Sequence, residues 1–370
     1  SMNVSMQLLG RVSIIFGTLL VSMINLFVFS NSSDMTELEK VTAYGNIYLY
    51  SLIVPIISVS GIFLSYFNQQ KRYKLLISNG INPVKAANII FNIPEVTKPN
   101  LLIIIGSIFF VIFTLVVGTS KMALSQEIVF VGSFMIILFL LFKLSNELDA
   151  NAKKMLIGTA IIIFVFRAMP GVGQGGSWFE IDVLGFDQEF LSLLGLIASF
   201  LTILGIFVLR PLMEKSSMTR LIVILSIAGS FFILPSIAMF YGFHEFTSKL
   251  TNGLVDARFI AIFNTALESP LGQVSMIPIL AWIAQSAPNH LKATFFAVLA
   301  SFTNLALSAS NLGTKYLNQL YVITREVKND LGIIKTPADY SELGILLIIV
   351  CALTLTIPIS VTYIVKKLKL

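Results

Sequence analysis

The sequence predicts an all-α protein that crosses a membrane many times, and three observations carry that prediction. Of its 370 residues, 56% are hydrophobic and 12% charged, about half the charged share of an ordinary soluble domain. The apolar residues gather in runs of roughly 20, the length a helix needs to cross a hydrocarbon core about 30 Å thick. Lys and Arg also fall unevenly between alternate loops, as the positive-inside rule requires of a multi-pass chain.

The same composition excludes other classes. A single cysteine, Cys351, allows no disulfide framework and no cysteine-based metal site. The two histidines, His244 and His290, lie far apart without ligand spacing, so no metal is expected. The net charge of +6 and the pI near 9.3 are ascribed to cytoplasmic loops rather than to nucleic-acid binding. Ser1 precedes Met2, and the first apolar run is too long for a cleavable signal peptide.

Ten spans follow in order, near 7–29, 45–67, 100–118, 127–145, 155–170, 190–210, 220–241, 258–285, 291–319 and 343–365. An even number places both ends on one side, and the tail Lys366, Lys367, Lys369 nominates the cytoplasm. The proposed inner loops hold 16 Lys and Arg against four acids (Glu95, Glu147, Asp149, Glu214), and the outer loops hold eight against 14. Spans three and four are apolar nearly all round. They are expected to face lipid and not to line an aqueous path. The basic segment 68–99 is expected to be a connector with a short helix at the cytoplasmic interface. The expected organisation is 1–67 as one membrane unit, 68–99 as connector, 100–145 as two extra helices and 146–370 as a six-helix unit.

Polar residues inside the spans supply the candidate site. Arg167 lies 13 residues beyond Lys154, roughly 20 Å along a helix rising 1.5 Å per residue. Glu268 lies ten residues beyond Arg258, roughly 15 Å in from the other side. Charges at that depth pair or face a cavity. Two readings stand: an Arg167–Glu268 ion pair, or Arg167 meeting an anionic substrate while Glu268 carries a proton. After Arg167 comes Ala168-Met169-Pro170-Gly171-Val172-Gly173-Gln174-Gly175-Gly176. This run breaks the helix either at membrane depth, as transporter sites do, or as an early extracellular loop. Trp178 and Phe179 suit an interfacial aromatic belt or a stacking surface. Span nine carries Thr294, Ser301, Asn304, Ser308, Asn311 and Lys315 on one face, a stripe for close packing or for a water-filled path. Span eight is expected to put Asn264, Glu268 and Ser275 on one face, with Gln273 to the side and kinks at Pro270 and Pro278. Candidate substrate-binding residues are therefore Arg167, Gln174, Gln273 and Asn304, with Glu268 for proton coupling or an ion pair. No nucleophile–base pair, paired carboxylates or phosphate loop occurs, so no enzyme and no cofactor are expected.

Residues Gln273-Val274-Ser275-Met276-Ile277-Pro278-Ile279-Leu280, Pro288, Ala293-Thr294-Phe295-Phe296-Ala297-Val298-Leu299-Ala300-Ser301 and Asn304 resemble the signature of the folate–biopterin transporter family, within the major facilitator superfamily. Phe166–Phe186 resembles that family's seventh helix and following loop. The resemblance covers residues 155–365. Where the family usually has glutamate before Ala-Thr, this chain has Lys292, which puts the usual substrate range in question. The resemblance implies a major-facilitator-like bundle with spans five to ten as its last six core helices. Spans three and four would be extra helices of a 14-helix protein, and about four helices would precede this chain. It further implies alternating-access uptake of a folate- or pterin-like anion, driven by protons, in the cell (inner) membrane. The same fold moving another solute, or a non-transporting membrane scaffold or inactive fragment, is the alternative.

Overall fold

A computed structural model describes residues 2–30, 35–91, 101–120, 122, 124–286, 292–329 and 333–368. Helix α1 runs Met2–Val28; α2 Glu37–Ser51; α3 Ile53–Ser78; α4 Pro83–Phe91; α5 Leu101–Gly118; α6 Ser125–Ser145. Then come α7 Ala150–Arg167, α8 Gln174–Asp182, α9 Gln188–Val208, α10 Arg210–Lys215, α11 Met218–Phe240 and α12 Phe243–Leu250. The last are α13 Ala257–Glu268, a 3-10 turn Ser269–Leu271, α14 Met276–Ser286, α15 Lys292–Leu320 and α16 Leu343–Lys367. Among the described residues seven helices are long and apolar enough to cross a membrane. The protein is an all-α polytopic membrane protein.

Helix starts follow side-chain capping, which supplies acceptors to N–H groups that lack an intrahelical partner. Asp149 accepts from Ala152 N at 2.7 Å, Asp187 from Phe190 N at 2.8 Å and Asp256 from Phe259 N at 2.8 Å. Thr36 and Glu39 form a reciprocal capping box ahead of α2.

Two spans and one segment between spans depart from expectation. The second, placed at 45–67, belongs to an apolar helical rod over Leu38–Ser78 of 41 residues, interrupted only at Leu52. Pro55 falls in the first turn of α3, where its missing N–H costs no bond. Within 68–99, where a short helix was expected, lies α4, whose Phe91 ring centroid is 5.6 Å from that of Tyr73. The eighth span is two helices, not one kinked helix. Pro270 ends α13 in the 3-10 turn, whereas Pro278 sits in the first turn of α14 and is tolerated. Ser275 and Gln273 lie in the non-helical link, so Ser275 does not share a helix face with Asn264 and Glu268. The third departure is α8, a helix of nine residues where the glycines pointed to loop. Residues 321–342 also hold a two-stranded antiparallel hairpin, β1 Val327–Lys328 with β2 Ile334–Thr336, which the apolar pattern did not announce.

Helix α7 is the hub. Its Leu156, Ile162 and Ile163 pack with Ile222 of α11, Ile279 and Ile283 of α14, Phe295, Val298 and Leu299 of α15, and Val365 of α16. A second cluster joins Leu8 and Ile15 of α1 to Ile206, Leu221, Leu225 and Ile277. Phe166, next to Arg167, packs against both. Helices α3 and α5 instead turn large apolar side chains outward, among them Ile62, Phe63, Ile105 and Val116, a surface matched to hydrocarbon. Where α9 meets the 3-10 turn, Gly205 touches the backbone of Pro270 so closely that no side chain fits between, and Thr202 Oγ1 donates to Ser269 O at 2.9 Å. Among the described residues, the ion pairs Arg210–Glu214, Arg258–Asp187, Lys315–Glu127, Arg325–Asp182 and Lys328–Glu326 each join residues that the loop count had put on one face.

Candidate functional site

The centre of the site is the end of α7, where the helix unwinds for six residues before α8 begins. Unwound backbone in a water-poor interior must find other partners, and α15 provides them with a ladder spaced at one helical turn. Ser310 donates to Met169 O at 2.6 Å, Thr314 Oγ1 accepts from Gly171 N at 2.8 Å, and Asn318 Nδ2 donates to Val172 O at 3.1 Å. Gly173, at φ +79°, lies against the Asn318 amide, where a Cβ would come within 2.9 Å of Nδ2. Pro170 rests on Gly313. The break is thus a built feature, clasped to α15 by three side chains.

Arg167 is half-buried just before that break. Its Nε donates to Thr303 O on α15 at 3.0 Å, and Nη1 reaches Met276 Sδ on α14 at 3.0 Å. Both partners are neutral. Among the described residues no carboxylate lies within ion-pair distance, and Arg11 of α1 is a second cation close enough to act on the guanidinium. The Arg167–Glu268 pair is therefore not formed. Glu268 ends α13 with an exposed side chain, immediately before the 3-10 turn.

The other expected site residues are dispersed. Gln174 opens α8 and is exposed; Asn304, the residue after Thr303, is also exposed. Gln273 has a buried Oε1 with no hydrogen-bond partner, three residues before Met276. Lys292 starts α15, but its side chain is outside the described residues, as is Pro288. Arg167, Gln273 and Asn304 thus gather around the α7–α14–α15 junction, while Gln174 and Glu268 do not join them through any bond.

The polar stripe of α15 divides in two. Ser308, Asn311 and Lys315 line a cleft of about 700 Å³ with Ser125, Gln126, Val129, Phe130 and Ser133 of α6. Helix α6, expected to be featureless, thus supplies polar residues to a cavity, because its few hydroxyls and one amide fall on the face turned to α15. At one end Lys315 Nζ binds Glu127 Oε1 at 2.7 Å and Tyr316 OH donates to the same oxygen at 2.8 Å. The residues that clasp the break, Ser310, Thr314 and Asn318, were missed, although their own spacing of four was legible.

Phe179 is neither belt nor stacking surface. It is buried between Phe240, at 5.4 Å, and Tyr340, at 5.9 Å, and Trp178 packs on the same cluster. This seats α8 over α11 and α16. Outside the spans, Asp182 at the end of α8 takes two bonds from Arg325, at 2.7 and 2.8 Å, and one from Tyr340 OH at 2.7 Å. The Arg325 guanidinium holds the Asp182 carboxyl below the usual range, while burial and the Asp182 hydrogen bond push Tyr340 up to about 12.

Comparison with known proteins places these elements in a lineage. A curated protein of Synechocystis sp. (strain ATCC 27184 / PCC 6803 / Kazusa) named folate-biopterin transporter is 21% identical over 158 residues, 43% of this chain and 31% of that protein. The chain thus aligns with about a third of that relative's length. The sequence profile of the BT1 family matches residues 141–369, from the end of α6 through the whole of α7 to α16. That stretch is more than half of the chain and holds Arg167, the clasped break and the split eighth span. The chain belongs to the BT1 family, as its resemblance to the folate–biopterin transporter family implied.

Proposed function

We propose that this protein is a secondary active transporter that moves a folate- or pterin-like organic anion by alternating access, coupled to protons. Membership of the BT1 family and the relative's name support transport. The observation that carries the anion is Arg167: a cation at membrane depth held only by neutral acceptors, with a second cation near it. An unpaired charge there is costly unless a partner arrives, and a carboxylate of the solute is such a partner, able to take two parallel bonds from the guanidinium. Gln273, with its unpartnered Oε1, and Asn304 would add amide contacts to the solute's polar edge, and Gln174 would meet it at the outer end of the break. Glu268, exposed at the end of α13, would carry the coupled proton. The orientation with both ends of this chain cytoplasmic in the cell (inner) membrane rests on the loop charges. On the same reading residues 68–99 are the connector between membrane units, 100–145 the extra pair and 146–370 a six-helix unit.

The test is uptake of radiolabelled folate or reduced pterin by the full-length protein in liposomes, with and without an inward proton gradient. Uptake accelerated by the gradient is expected. Arg167→Gln is expected to abolish it and Arg167→Lys to retain a fraction, since lysine keeps the charge and loses the paired donors. Uptake unaffected by Arg167→Gln would overturn the anion assignment.

A further inference from the structure

Beside α8 lies a cavity of about 190 Å³ whose lining includes Ser177, Glu180, Ser236, Met239, Leu343 and Leu347. It has room for several waters, given the 10–15 Å³ that one requires. Three of the lining side chains are polar: Ser177, Glu180 and Ser236. Glu180 is half-buried, and its carboxyl makes no hydrogen bond or ion pair to any described residue. The titratable groups on the surrounding elements do not face it with a free positive charge. Arg325 and Tyr340 are both engaged by Asp182, Glu342 is exposed at the head of α16, and Tyr241 lies against Gly344. The cavity side of α11 offers only Ser236 and Met239.

A half-buried carboxylate with no protein partner has lost part of its hydration without a replacement, which favours the neutral acid. Two serine hydroxyls and a few waters can satisfy a COOH group as both donor and acceptor. We propose that Glu180 is a proton-binding site: it holds a proton while α8 is seated over α11 and α16, and releases it when α8 lifts and bulk water replaces the few confined ones. Burial accordingly pushes the Glu180 carboxyl up. Helix α8 directly follows the clasped break, so its lifting would reach the segment beside Arg167. The proton site is separate from Glu268 and does not depend on which solute crosses.

The sign of the pH effect separates Glu180 from its neighbour. An acid whose folded pKa is raised stabilises the seated helix below its unfolded pKa, and that stabilisation is lost as pH climbs through the folded value. Asp182, whose pKa is lowered, does the reverse. The experiment is amide hydrogen exchange of residues 175–182 in the full-length protein, from about pH 5 to about pH 8, corrected for the intrinsic rate. Protection of α8 is expected to fall as pH rises in the wild type and to stay high in E180Q, which carries a permanent neutral isostere. A flat wild-type profile, or one that E180Q shares, overturns the proposal. As a second measurement, dicyclohexylcarbodiimide, which adds to protonated carboxyls in apolar surroundings, should modify Glu180 up to a higher pH than exposed Glu245. Modification of Glu180 that tracks Glu245 also overturns it.

Discussion

Replacing Thr314 by valine removes one hydroxyl and leaves the volume of the side chain nearly unchanged, so it isolates a single rung of the clasp. In the native structure the hydroxyl accepts from Gly171 N at 2.8 Å and donates to Ser310 O at 2.9 Å. The second bond merely supplements a carbonyl already inside a helix. The first is the partner of an N–H in unwound chain, because Pro170 and Gly171 cannot rejoin α7. Valine therefore strands one donor, which costs about 1–3 kcal/mol. If the segment responds by opening locally rather than by unfolding the protein, its opening equilibrium rises by roughly 5- to 150-fold, at 1.4 kcal/mol per decade.

The assay is hydrogen exchange at Gly171, Val172 and Gly173, with Thr314→Ser and Ser301→Ala as controls. Serine keeps the acceptor and should exchange like the wild type. Ser301 bonds only to Ala297 O of its own helix, at 2.8 Å, and its loss should leave the break undisturbed. Faster exchange confined to 171–173 in Thr314→Val is the expected result. Exchange there unchanged within twofold would refute the claim that α15 holds the break closed, and the break would then have to be held by Pro170 and packing alone.

Two further outcomes follow from geometry elsewhere. Gly205→Ala drives a methyl into the backbone of Pro270, where no side chain can yield, so α9 must part from the 3-10 turn; a loss of about 1–3 kcal/mol is expected for such overpacking, read as a lower melting temperature in detergent, while Gly10→Ala, with open space around it, should not lower it. Asp182→Asn removes a bidentate partner from Arg325. Since the Asp182 carboxyl is held low when folded, its stabilisation is present above the ordinary carboxylate pKa and disappears as pH falls through the folded value; the wild-type advantage over Asp182→Asn should be seen at pH 7, at no more than about 1 kcal/mol because both side chains are partly exposed, and should vanish in acid.

Much of the fold could be read because membrane spans are written in long, one-letter-deep averages. The ten spans fall on helices, the eighth divided between two, and seven of the described helices are long and apolar enough to cross a membrane. What the averages miss is local. Proline has different consequences at Pro55, Pro270 and Pro278 because only Pro270 falls where its neighbours have no spare turn to give, with Gly205 pressing from α9. The glycines after Arg167 correctly marked a break, yet Gly173 also permits the positive φ from which α8 restarts, a second role that composition does not separate from the first. For the site, depth along a helix was enough to single out Arg167, but depth says nothing of azimuth. Arg167 and Glu268 were placed at similar depths by counting along their helices, yet they do not meet: Glu268 closes α13 with an exposed side chain.

That failure of pairing alters the electrostatic logic of the protein. Had Arg167 and Glu268 met, the pair would be neutral, and separating its members would cost several kcal/mol. As built, the guanidinium keeps its charge and spends its bonds on a carbonyl and a thioether, ligands that can be exchanged for an anion with little loss. Both of those ligands sit on helices that also shape the break: Thr303 lies two turns before Ser310 on α15, and Met276 begins α14 just after the link that follows Pro270. An anion that drew Arg167 away from Thr303 O and Met276 Sδ would therefore loosen α7 from α14 and α15 at the point where α7 is already unwound. The differential contact that a two-state element requires of its ligand is thereby available at Arg167 without a new salt bridge having to form or break elsewhere.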